Sequence, residues 1–183
     1  MLELQEIHSA ENQLSRALPR LTKAVQSEQL QEMVERRQEE GERVLEEVAA
    51  ALEELEESPG RRKNSAAEGL INSAREHTQE IQPGPALDAV LIGAVQKTEH
   101  YCIAAWGTAR SLAQTAGERT AVKAMERALK EGKRYDEELT ELAESEINPQ
   151  LMPQEASEEE EEGMQQPRGR SRRGTSSERR VST

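Results

Sequence analysis

Apolar residues recur at Leu4, Ile7, Leu14, Leu18, Leu21 and Val25, a spacing of three and four that marks one face of a helix over residues 1–25. Pro19 falls inside that stretch and is expected to bend it. Ser27 is placed to cap a second helix, running to about Glu57, whose seam carries Leu30, Val34, Val44, Val48 and Leu55. Ser58-Pro59-Gly60 ends it. After the basic stretch Arg61 to Lys63, Ser65 and Glu68 have the spacing of a capping box, which opens a shorter helix to about Ile81. Pro83-Gly84-Pro85 closes that one, and Pro85 suits the first position of a third long helix reaching about Thr115. Gly117 is a helix stop, and a fourth long helix covers about Glu118 to Glu146.

Connection lengths then select a topology. The first two long helices are joined by a residue or two around Ser27, and the last two by a similar stretch at Gly117, so each pair must be antiparallel neighbours. Between the pairs lies a long connection with a helix of its own. The pattern therefore predicts an all-α, ferritin-like four-helix bundle, two antiparallel helix hairpins with a long crossover containing a short extra helix.

Composition agrees with helices. The 183 residues contain no Phe, one Trp and two Tyr, too few aromatics for a broad sheet or a large ligand pocket. There are 36 Asp and Glu against 24 Lys and Arg, a net charge of -12. Beyond Asn148-Pro149 the character changes: Pro149, Pro153 and Pro167, the acidic run Glu158 to Glu162 and the basic run Arg168 to Arg173 leave almost nothing apolar to bury. Residues 1–147 are expected to form the bundle and residues 148–183 a disordered, acidic-then-basic tail. The tail's seven acids and six arginines nearly cancel, so the body keeps about -11 of the charge.

That charge argues against nucleic-acid binding by the bundle, because phosphate contacts come chiefly from Lys and Arg. The Arg-rich tail offers a weak possibility of such a contact, or of one to an acidic partner; a solvated tail is the plainer reading. A single cysteine, Cys102, allows no internal disulfide, no apolar run is long enough for a membrane span, and the sequence after Met1 is acidic and amphipathic. A cytoplasmic location is expected.

Most acids belong to solvated helix faces. Helical phase at 100° per residue singles out four. Glu11 lies on the seam between Ile7 and Leu14, Glu99 among Leu91, Ile92, Val95, Cys102, Ile103 and Trp106, and Asp136 among Met125, Leu129, Leu139 and Ala143. Glu40 sits at the edge of its seam, between Arg37 and Val44. Buried carboxylates are costly unless paired, protonated or bound to metal. A pair of iron or manganese ions would satisfy four of them; so would a metal-free network in which Arg37, also on the seam, neutralises part of the charge.

The stretches His8-Ser-Ala-Glu-Asn-Gln-Leu14, Ala17-Leu-Pro19, Ala67-Glu-Gly-Leu70, Gln96-Lys-Thr-Glu-His-Tyr101, Gly107-Thr108 and Asp136 to Ala143 resemble the YciE/YciF-type ferritin-like family. The likeness spans residues 1–147. It implies a small bacterial stress-associated protein, usually a homodimer, for which a di-metal centre has been proposed and no activity is settled. Position by position it marks Glu11, Glu40, Glu99 and Asp136 as the inward acids of a metal site; by their own positions His8, one turn before Glu11 and either a ligand or beside one, His100, next to Glu99, and Arg37, on its helix seam, flank that site. The chain also departs from that pattern. Val44, Gly132, Cys102 and Arg37 stand where family members often carry His or Gln, Glu, Glu and His respectively.

Three readings follow. A carboxylate-rich site would hold iron or manganese and could support Fe(II) oxidation by O₂ or peroxide. A bundle that kept the fold and lost the metal would act as a homodimeric structural or interaction protein. A tail-driven role would use Arg168 to Arg180. Hydrolase and transferase chemistry has no support, since there is no Gly-rich phosphate loop and no Gly-x-Ser-x-Gly.

Overall fold

The computed structural model describes residues 1–152. Five α-helices follow one another: α1 (Leu2–Ala24), α2 (Glu28–Glu54), α3 (Ser65–Glu80), α4 (Pro85–Ala116) and α5 (Arg119–Leu142). A π-helical turn, Ala143–Ile147, and a 3-10 turn, Asn148–Leu151, extend α5. Helical structure thus passes the expected boundary at residue 147, because Ile147 is buried in the core and anchors the extension. The rest of the expected tail, residues 153–183, lies outside the described residues. Among the described residues no helix is long and apolar enough to cross a membrane.

Several signals act as read. The Ser27 hydroxyl accepts from the Leu30 N–H at 3.3 Å, and Gly117 closes α4 in the left-handed conformation at φ 83°. Pro85 occupies the first turn of α4, where its missing N–H leaves no carbonyl unpaired. Helix α1 continues through Pro19. The cap of α3 is a correction: Asn64, one residue before Ser65, accepts from the Ala67 N–H at 2.9 Å. Its amide nitrogen also donates to the Tyr101 hydroxyl (2.6 Å) and the Glu6 carbonyl (3.2 Å), and its N–H donates to Ser9 Oγ (3.0 Å). Contacts to α1 and α4 therefore choose the capping residue, while Glu68 pairs with Lys63.

Helix α1 packs on α2 and α4 on α5, and the two hairpins meet through α2 against α5 and α1 against α4. Helix α3 lies against α1 and α4. The start of α4 returns to the turn between α1 and α2, since buried Asp88 accepts from the Gln26 and Ser27 N–H groups at 3.0 and 2.8 Å. The crossover thus travels the length of the bundle and sets α4 parallel to α2. Asp88→Ala would leave two N–H groups of the α1–α2 turn without their acceptor. It should lower unfolding free energy by about 1.5–3 kcal/mol in urea melts, with Asp88→Asn milder because it keeps one acceptor oxygen.

The core divides into two apolar clusters. One gathers Leu4, Ile7, Leu14, Val44, Val48, Leu52, Cys102, Trp106 and Met125; the other gathers Leu18, Leu30, Val34, Leu91, Ile92, Val95, Tyr135 and Leu139. On three of the long helices buried residues between the two sets are polar or glycine: Arg37 and Gly41 on α2, Glu99 on α4 and Gly132 on α5; on α1 buried Glu11 lies within the first set, between Ile7 and Leu14. A polar layer crosses the middle of the bundle.

Candidate functional site

Arg37 is the centre of that layer. Its guanidinium clasps Glu11 in both directions, Nη1 donating to Oε2 and Nη2 to Oε1, each at 3.1 Å, while Nε donates to Glu99 Oε2 at 2.6 Å. All three residues are buried, and the Cys102 Sγ lies 3.7 Å from Nη2. The guanidinium also stands 5.6 Å from the centre of the Trp106 ring, within cation–π range. Burial opposes the charge on Arg37, yet Glu11 and Glu99 hold its pKa well above the ordinary value. For Glu99, burial outweighs the attraction of Arg37 and pushes the carboxyl pKa up. Burial likewise pushes the Cys102 thiol well up, which keeps it protonated and poorly nucleophilic.

Two glycines make room. A Cβ on Gly41 would stand 3.0 Å from both Arg37 Nη1 and Glu11 Oε2; one on Gly132 would stand 2.5 Å from Trp106 Cζ3 and 2.6 Å from Glu99 Oε1. The second distance set is a clash against two buried side chains. Gly132→Ala should therefore destabilise the protein by about 1–3 kcal/mol even though alanine favours helices, and a urea midpoint equal to or above that of the wild type would contradict the contact.

The four inward acids do not share one centre. Glu11 and Glu99 are brought together by Arg37, whereas Glu40 pairs with Arg127 and, at 2.8 Å, with Arg43. Arg127 also makes a two-pronged contact to Glu47, at 2.8 and 2.9 Å. Asp136 lies one position off the buried face of α5, which runs through Ala128, Gly132, Tyr135 and Leu139. It meets exposed His100 Nε2 at 3.0 Å and Gln96 Nε2 at 3.3 Å. His8, partly buried one turn before Glu11, has its pKa lowered by burial.

A pair of metal ions needs acids and histidines converging on common points. Val44 and Gly132 offer no ligating side chain, and the Arg37 guanidinium lies between the two carboxylates that do approach. Among the described residues no three His, Cys, Asp or Glu side chains come together closely enough to hold a metal ion. The residues present do not fit a di-metal pair.

Helical phase does not single out Tyr135, Gly41 or Asn64, and Gly132 enters the sequence reading only as a departure from the family's Glu. Tyr135 fills the phase expected for Asp136, and its hydroxyl, like Glu99 Oε1, is buried without a hydrogen-bond partner among the described residues. The two glycines carried a legible signal, since each stands at seam phase where a hydrophobe is expected and neither ends a helix.

A family model described as a domain of unknown function, DUF892, matches residues 1–152. The chain is 38% identical to Protein YciF of Escherichia coli over 146 residues, which is 79% of this chain and 88% of that protein. The crystal structure of the E. coli stress protein YciF superposes with a TM-score of 0.76, covering 80% of this chain and 92% of that one. YcfI of Rhodopseudomonas palustris, provisionally described as a structural protein, superposes with a TM-score of 0.72 at 29% identity, covering 75% of this chain and 88% of its own.

Proposed function

This chain belongs to the DUF892 family, and from that premise we propose that it is a stress-associated protein that acts through its folded surface, as a cytoplasmic homodimer, without metal-dependent catalysis. The observation behind this reading is that each of the four candidate acids is engaged by protein groups: Glu11 and Glu99 by Arg37, Glu40 by Arg43 and Arg127, Asp136 by His100 and Gln96. Carboxylates arranged in this way hold helices to one another. Arg37 ties α1, α2 and α4; Arg127 ties α5 to α2; His100 ties α4 to α5. The stress role is carried over from the relative described as a stress protein, and a role without catalysis accords with the relative described as structural. Dimerisation comes with the family resemblance, and the cytoplasm is the location expected of a chain with a single cysteine.

Protein purified without chelator should contain iron and manganese far below one ion per chain. Mixed with Fe(II) and O₂ or peroxide, it should oxidise iron no faster than buffer does. Stoichiometric iron, with Fe(II) oxidation lost in Glu99→Gln, would overturn this reading in favour of a di-metal oxidase. Light scattering at micromolar concentration should give twice the chain mass.

A further inference from the structure

The metal-ligand set implied by the fold family and the residues of this chain disagree at several positions, and the disagreement is organised around Arg37. We infer that Arg37 is a resident cation, a guanidinium tethered by its own backbone in the place between Glu11 and Glu99, with Gly41, Trp106 and Gly132 shaped around it. This rests on the reading of the bundle as free of catalytic metal and adds what supplies the positive charge instead.

Three independent contacts carry it. First, the hydrogen bonds are those of a dedicated ion cluster: three of the guanidinium's nitrogens are used on two carboxylates from two other helices, with every group buried. A planar fork suits two carboxylates better than an ammonium does, because it offers several donors in fixed directions. Second, the surroundings carry no side chain where the cluster needs volume. Gly41 leaves space for Nη1 and the Glu11 carboxylate, and Gly132 leaves space for Glu99 Oε1 and the edge of Trp106. Third, Trp106 faces the guanidinium at 5.6 Å, so the cation has an aromatic wall in addition to its two carboxylates. An exchangeable metal would need none of these three features. It would need ligands at residues 44 and 132, which are Val and Gly.

The layer also explains why the bundle has two apolar clusters instead of one. Arg37 separates Val34 from Val44 on α2 and Glu99 separates Val95 from Cys102 on α4, where the two clusters join, while Glu11 reaches the same layer from within the first cluster, between Ile7 and Leu14. Charge placed at one height on three helices fixes their register, since a sliding of one turn would bury each ion against an apolar neighbour.

The test is a charge cycle in the full-length protein, read as the urea midpoint and melting temperature. Arg37→Met removes the cation at similar volume and should lower both strongly; Arg37→Lys should lower them less. Adding Glu11→Gln and Glu99→Gln to Arg37→Met should restore most of the loss, because the two carboxylates no longer need a counter-charge. A purely steric role for Arg37 predicts no such restoration. If Arg37→Met does not fold, a folded triple variant still supports the resident cation. A triple variant no more stable than Arg37→Met, or unfolded with it, overturns it. In a second arm, wild-type protein with Mn(II), Zn(II) or EDTA should melt unchanged, and a Mn(II)-dependent rise abolished by Glu11→Gln would overturn it as well. Iron oxidation by the wild type would defeat the functional proposal while leaving the charge cycle's outcome to stand separately.

Discussion

Replacing Arg37 with methionine should lower the unfolding free energy by about 3–5 kcal/mol, the range for breaking a buried ion pair by removing one partner. Two carboxylates then remain in the bundle interior with no counter-charge, 1% exposed each. At roughly 2–4 °C per kcal/mol for a chain of this size, the melting temperature should fall by some 6–20 °C. The loss should depend on pH in a fixed direction. Burial, partly offset by Arg37, already raises the Glu99 pKa in the wild type. Its contribution is therefore full below the ordinary carboxylate value of about 4.3 and is lost as pH climbs through the raised value. Without Arg37 the offset disappears and the pKa rises further, so the gap between variant and wild type should widen from pH 5 to pH 8. Parallel stability curves across that interval would contradict an electrostatic role.

The second large effect is expected at Trp106, 1% exposed and the largest side chain of its cluster. Trp106→Ala should cost about 3–5 kcal/mol, from lost transfer energy and the cavity left behind. The wall beside the guanidinium goes with it, a cation–π contact on the order of 1–2 kcal/mol in a buried site, so the upper half of that range is expected. Trp106→Ala should also soften the penalty of Gly132→Ala, because Trp106 Cζ3 is one of the two atoms a new Cβ would meet. Glu99 Oε1, at 2.6 Å from that Cβ, keeps part of the penalty in place. A double variant whose loss equals the sum of the singles would show that residues 106 and 132 do not touch.

Much of the fold is legible in the sequence because helices advertise themselves locally. Ser27, Pro85 and Gly117 act within one turn of their own position, and the apolar spacing of α1, α2 and α4 follows from 3.6 residues per turn. The α3 cap was misplaced by one residue for the opposite reason. Asn64 is held by Ser9, Glu6 and Tyr101, contacts 55, 58 and 37 residues away in sequence, which a capping-box pattern cannot register. Asp136 shows the same limit of a local pattern, since it stands one residue of helical phase from the buried face, half-buried beside His100 and Gln96, and Tyr135 takes the fully inward place.

At the centre of the bundle the division is sharper. Sequence alone determined that the chain is helical, that its long helices pair in two hairpins, and that Glu11, Glu99 and Arg37 fall among apolar residues. Each of these is a statement about period and spacing along one segment. Only the tertiary structure decided what those three do together. Whether two carboxylates meet a metal, each other or a guanidinium depends on the heights and rotations of three helices, brought into register by the return of the crossover and by Asp88 on the α1–α2 turn. It depends also on two missing Cβ atoms, whose absence means nothing until the Arg37 and Trp106 side chains lie against them.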